Sequence, residues 1–173
     1  NNRISKSFSS YSTFENFQGT KHSFELYDES DFQEKNSYEG FLEKNDKNIT
    51  GFIIKNNIKN LKFKKDVLFP VEHLKTIIKK AKSGEKFYTT KVFFGNEEKE
   101  LIKTVSVFIG NKKKVNYEGL GNLDNKKVWP LIIAFYKDNS RKGNPDYEIK
   151  LDLDENGIAH YYQVNYDSFE IYA

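Results

Sequence analysis

The sequence predicts a mainly β protein, an antiparallel sheet that meanders along the chain and is interrupted once by a helix at about 71–83. Three observations predict it. Apolar residues recur with a period of two over most of the chain, turn signals separate the alternating runs, and one segment alone switches to a helical period. The 173 residues hold 15 Phe, 11 Tyr and 1 Trp, too rich a supply of core-forming side chains for a disordered chain. The length fits a single domain over 1–173.

Residues 3–15 alternate roughly, and residues 21–27 place His22, Phe24 and Leu26 on one face. Segments 37–44 and 48–55 are strands split by the turn-like Asn45-Asp46. Asn56-Asn57 then leads into 58–65, where Leu61 and Phe63 share a face. The helix follows Phe69-Pro70, with Val71, Leu74, Ile77, Ile78 and Ala81 forming an apolar stripe. Pro70 suits the first turn, Glu72 and the lysines at 79, 80 and 82 complement the helix dipole, and Gly84 stands where a terminating glycine belongs. Strands are expected again at 86–94, 100–110, 128–137, 146–153, 158–165 and 167–172, with loops at Gly95-Asn96, Gly119-Leu120-Gly121, Asn139-Ser140 and Gly143-Asn144-Pro145. Asn156-Gly157 is a two-residue hairpin signal, and Pro130 marks an edge or a bulge within its run.

Composition excludes several classes of function. Without cysteine there is no disulfide, thiol catalysis or cysteine-ligated metal. No run approaches the roughly 18 apolar residues of a membrane-spanning helix. Of 28 basic residues only Arg3 and Arg141 are arginine, and the formal net charge is +3, which argues against nucleic acid as a partner. His22, His73 and His160 lie on three different elements with no ligand-like spacing, so no metal site is assigned, and no phosphate loop or nucleophile motif implies a cofactor. Asp152, Asp154, Asn156 and Gly157 match the opening of a calcium-binding EF-hand loop. Its twelfth position is Gln163, where a bidentate Glu is needed, and the flanks alternate as strands, so an acidic β-hairpin is expected. The lysine-bearing helix reads as a helix packed on the sheet rather than a membrane-surface helix, because its apolar stripe holds no Trp or Phe.

An ordered series of short blocks resembles a known family. Leu68-Phe69-Pro70-Val71-Glu72-His73-Leu74 leads to Ala81-Lys82-Ser83-Gly84-Glu85-Lys86-Phe87 and Val92-Phe93-Phe94-Gly95. Val107-Phe108-Ile109-Gly110 and the run from Val128 to Tyr136 (VWPLIIAFY) follow. Pro145-Asp146-Tyr147-Glu148-Ile149, Glu155-Asn156-Gly157-Ile158 and Asn165-Tyr166-Asp167-Ser168-Phe169 complete the order. Over about residues 13–169 this is similar to the EipB family of alphaproteobacterial cell-envelope-integrity proteins. The resemblance implies a periplasmic protein, exported by a signal peptide that is then removed. It also implies a highly curved antiparallel sheet, a β-spiral or half-barrel around the one central helix, similar to the lipoprotein carriers whose half-barrels hold acyl chains. The resemblance covers the C-terminal portion of the family's domain, which implies a chain incomplete at its N-terminus. The family's cysteine pair has no counterpart in these residues.

The function that follows is a non-enzymatic periplasmic protein that maintains envelope integrity and binds a lipid or a protein partner on its curved sheet. The rival is an enzyme of unknown reaction using a cavity in the same scaffold. The aromatic surplus and the motif order single out Phe69, His73, Trp129 and Tyr136 as a ligand-facing set, against a packed core as the place of most aromatics. Nothing in the sequence sets an oligomeric state.

Overall fold

The computed structural model describes residues 7–30, 33–95, 101–115, 126–136, 144–166 and 169–172. The loops expected at Asn96, 119–121, 139–140 and Gly143 lie outside them, as do residues 3–6 of the first expected strand. The chain divides into two compact units. The first comprises Asn1–Val71 with Phe93–Ile102, the second Glu72–Val92 with Lys103–Ala173.

The first unit is an antiparallel meander of β1 (Ser7–Glu15), β2 (Lys21–Ser30), β3 (Gln33–Lys44), β4 (Asn48–Ile54) and β5 (Ile58–Lys64), each strand paired to the next. The two-residue β6 (Val67–Leu68) follows. The side-chain period of two decides which face is buried. His22 pairs with Leu42, which pairs with Gly51, which pairs with Leu61, and Phe24 runs through Gly40 to Ile53 in the same way. These rows, with Tyr38, Ile49, Val67, Phe69, Phe93 and Leu101, form one buried cluster. Its rings are Phe24, Tyr38, Phe69 and Phe93, and His22 packs with them. The His22 ring stacks on Phe69 at 4.9 Å, and Phe24 meets Phe93 at 5.1 Å, within the range where ring pairs attract beyond simple burial. The turn at Asn45 is held by its own side chain, whose Oδ1 accepts from the N–H groups of Lys47 and Asn48.

In the second unit the sheet order is β13 (Phe169–Tyr172), β12 (Ala159–Tyr166), β11 (Tyr147–Asp154), β10 (Lys126–Tyr136), β8 (Ile102–Ile109) and β7 (Phe87–Phe93). A short β9 (Lys113–Val115) also pairs with β10. The pairings within both units are antiparallel, so the predicted mainly β class holds, with sheets that do not close into a barrel. Bulges interrupt the ladder between Asp152 and Leu153 on β11 and between Asp28 and Ser30 on β2, adding local bend and twist. A third bulge explains Pro130. Leu131 pairs with Ile109 but Val128 pairs with Lys113, so the β8–β9 side carries one extra residue opposite this stretch. The Pro130 carbonyl accepts from Gly110 N–H at 2.8 Å, so its missing donor faces the same bulged side, where the ladder is already broken.

The helix α1 (Pro70–Lys82) lies within a residue of its predicted bounds. It ends in a Schellman motif. Glu85 N–H donates to the Lys80 carbonyl at 3.0 Å and Gly84 N–H to the Ala81 carbonyl at 3.2 Å, with Gly84 at φ 82°. Its buried stripe is His73, Ile77 and Ala81, at i, i+4 and i+8. This corrects the expected stripe. Val71 is exposed, whereas Leu74 and Ile78 are half-buried and lie over Gly157. Lys75, Lys79 and Lys82 face water, as a helix packed on a sheet requires.

The hairpin joining β11 to β12 carries a three-residue loop, Glu155-Asn156-Gly157, in place of the expected two-residue one. Gly157 N–H closes a turn onto the Asp154 carbonyl, and Gly157 then takes φ 85°, the left-handed residue that such loops need.

Candidate functional site

The strands β8, β10 and β11 bury one face against their own core and present parts of the other to solvent. In register, Phe108 pairs with Ile132, and Ile132 pairs with Lys150. One step along, Pro130 pairs with Asp152, and Asp152 with Tyr161. Directly paired residues point to the same side of a sheet, so these two rows form a floor. Phe87 extends it, its ring 4.8 Å from that of Phe108. Phe108 is 45% exposed, Phe87 42% and Ile132 37%, a contiguous apolar patch of the kind that marks an interaction surface. The floor bounds a groove of about 740 Å³, within the size range of small-ligand sites. Lys86, Lys113 and Lys150 line its margin, with Asp152 as the one carboxylate.

Trp129 is buried on the opposite face of β10, with Lys112 Nζ 4.5 Å from its ring centroid and the same ammonium 3.0 Å from Glu155. Tyr136 is half-buried at the end of β10 and pairs with Thr104, seven residues from Trp129 and therefore on the other face. His73 is 7% exposed and meets the Tyr88 ring edge-on at 6.3 Å. Its Nε2 has no hydrogen-bond partner among the described residues, nor has the Tyr88 hydroxyl. Burial alone lowers the His73 pKa from 6.5 to about 4, so the ring is neutral at physiological pH. Phe69 is fully buried in the first unit, between His22 and the Lys44 ammonium. Within the second unit Trp129 and Tyr136 lie on opposite faces of β10, and none of the four is among the residues that line the groove.

Phe108 and Ile132 were missed because they sit inside unbroken apolar runs. A strand buried on both faces loses its alternation, so the outward positions cannot be told from the inward ones. The available signal lay one strand away. In 147–154 (YEIKLDLD) Lys150 and Asp152 mark the even positions as outward, and their partners Ile132 and Pro130 share that face.

The ionisable groups elsewhere serve the fold. Asp154 Oδ1 accepts from the Asn156 and Ile158 N–H groups at 2.9 Å, and its Oδ2 lies 3.0 Å from His160 Nε2. Burial opposes its ionisation, but the His160 and backbone hydrogen bonds outweigh burial and hold the carboxyl below the usual range. The residues that resembled a calcium loop are thus a hairpin pinned by its own aspartate. In the first unit Glu15 Oε1 accepts from Val71 N–H at 2.6 Å, capping the helix, and lies 3.6 Å from His22 Nδ1. Among the described residues, no group of three or more His, Cys, Asp or Glu side chains is placed to hold a metal ion.

The described residues, antiparallel sheets with one helix and an apolar, lysine-edged groove, define a mainly β protein. The chain belongs to the EipB-like family, whose model matches residues 1–173. It is 31% identical over 111 residues to the cell envelope integrity protein EipB of Brucella abortus strain 2308, covering 62% of this chain. The chain spans about 40% of that relative's length. It is also similar to the crystal structure of a β-barrel-like protein of a domain of unknown function from Brucella abortus. The TM-score is 0.85 at 26% identity, over 96% of this chain and 70% of that one. The family resemblance read from the motif order and the mainly β fold class are both borne out.

Proposed function

We propose that this chain serves cell-envelope integrity as a periplasmic binding protein, not an enzyme, and that it holds a lipid on the outer face of β8, β10 and β11. The observation that carries this reading is the groove floored by Phe108, Pro130, Ile132 and Tyr161, with the Phe87 ring packed beside Phe108. Leaving that much apolar surface in water costs free energy that a bound acyl chain would recover. The name of the Brucella relative supports the envelope setting, and no helix among the described residues is long and apolar enough to cross a membrane. A binding role is supported by the disposition of the acids in this unit. Asp154 is committed, with His160, to the β11–β12 turn, and Asp152, the carboxylate in the groove, is paired with Lys113.

The test is genetic and uses the full-length gene in its own host. Deletion is expected to sensitise cells to detergent, and the epitope-tagged protein to fractionate with the periplasm. Wild type should restore resistance, whereas Ile132→Asp, produced at equal abundance, should not. Full rescue by Ile132→Asp would remove the groove from the function, and a detergent-resistant deletion would remove the envelope role.

A further inference from the structure

The groove has a charge preference as well as an apolar floor. We propose that its ligand is a monomeric anionic amphiphile, one acyl tail with a carboxylate or phosphate head, held by Lys86 and Lys150. This rests on the groove being a lipid site.

Three lysines and one carboxylate line the groove. Lys113 and Asp152 neutralise each other, Nζ to Oδ2 at 3.5 Å. Among the described residues Lys86 Nζ reaches the neutral Asn111 Oδ1, at 2.8 Å, and neither Lys86 nor Lys150 has an ion pair. Two ammonium groups at the margin of an apolar patch thus meet no carboxylate among the described residues. Their placement is regular. Phe108, Ile132 and Lys150 occupy one cross-strand row, so the cation closes the row that the two apolar side chains begin. Lys86 adjoins Phe87, whose ring abuts Phe108 at the other end of the same row. Lysine stems lie along apolar surface while their ammonium groups stay in water. The floor and its two ends thus match a tail with an anionic head, and a cationic head would meet two like charges.

The same charges argue against a second copy as occupant. A two-fold contact through this face would set the lysine margin of one copy against that of the other without added carboxylates.

The test is titration of the purified chain, followed by calorimetry and tyrosine fluorescence, with C12 surfactants below their micellar concentrations. Dodecyl phosphate and dodecanoate provide the two anionic heads, dodecyl maltoside the neutral one and dodecyltrimethylammonium the cationic one. The anionic pair is expected to bind one to one and tightest. Lys86→Gln with Lys150→Gln should weaken the anionic pair by about tenfold, while leaving dodecyl maltoside unchanged. Equal binding of all heads, or cationic preference, would overturn the charge assignment and leave the lipid groove standing. No binding of any C12 chain would overturn both. A concentration-dependent dimer that Ile132→Asp dissociates would overturn the proposal in favour of a second copy.

Discussion

The two units solve the same problem, an antiparallel sheet with one apolar face too many, in different ways. In the first, the outer face carries the row Phe14, Ser23, Phe41 and Phe52, and the next row sets Glu25 directly opposite Glu39. In the second, the outer row of Phe108 and Ile132 ends in Lys150. The first row thus has facing acids on one side and Lys21, Glu43 and Lys62 along the other, whereas the second row itself ends in a lysine. The cores are alike in kind, since both mix rings with aliphatic side chains: Phe24, Phe69 and Phe93 with Leu42 and Ile53 in the first unit, Tyr88, Trp129 and Phe135 with Val105 and Leu131 in the second.

The contrast between interior and outer apolar residues gives the largest expected effect. Phe69 is fully buried, and its ring meets His22 and Phe93. Phe69→Ala should cost about 3–5 kcal/mol, the usual range for a buried Phe, and would unfold a marginal protein outright. Ile132→Ala, on the open floor, should change stability by no more than about 0.5 kcal/mol. Denaturant titration measures both. A large loss from Ile132→Ala would mean that the groove is a covered core, and the comparison would collapse.

The next effect is one of pH. His73 in the folded chain has its pKa lowered by burial to about 4, against 6.5 when unfolded. Above pH 6.5 the ring is neutral in both states and nothing is lost. Between 6.5 and 4 the unfolded chain binds a proton that the folded chain does not, so stability falls with pH, by up to about 3 kcal/mol. Its ring meets that of Tyr88, over which the Lys80 ammonium lies, and Nε2 has no hydrogen-bond partner among the described residues. His73→Leu should remove this part of the acid sensitivity. The stability difference between variant and wild type should grow as pH falls through that window and level off below it. A pH-independent difference would place the ring in water.

How much of this could be read beforehand follows from the same geometry. Strands buried on one face kept their alternation, so His22, Phe24 and Leu26 were legible as one core face, and the helix was legible within a residue. The two-residue β6 and three-residue β9 are too short to show a period. His73 entered the helix's buried stripe because position, i−4 from Ile77, outweighed polarity. The hairpin loop gained a residue because Asp154 accepts from two backbone N–H groups and so closes a longer turn. The groove was hidden for a different reason. Ile132 and Phe108 lie in continuous apolar runs, and only register with Lys150 shows which of those residues face out. Register is a property of two strands, and no single run contains it.

The smallest effect tests the charge side of the comparison. Glu25 and Glu39 are exposed Cα partners on β2 and β3, with no cation bound to either among the described residues. Like charges directly opposite on a sheet are destabilising by roughly 0.2–1 kcal/mol. Glu39→Gln should therefore stabilise the chain by a few tenths of a kcal/mol at low salt. Because exposed charges are screened over about 10 Å at 0.1 M ionic strength, the gain should shrink as salt rises. Lys150→Gln, the matching change in the second unit, relieves no facing like charge, since its cross-strand neighbours are Ile132 and Gln163. It should leave stability unchanged at every salt concentration. Equal responses of the two variants would mean that the acids of one face and the lysines of the other are ordinary solvated charges. A salt-dependent gain confined to Glu39→Gln would instead fix the facing Glu25 and Glu39 as a site of crowded negative charge.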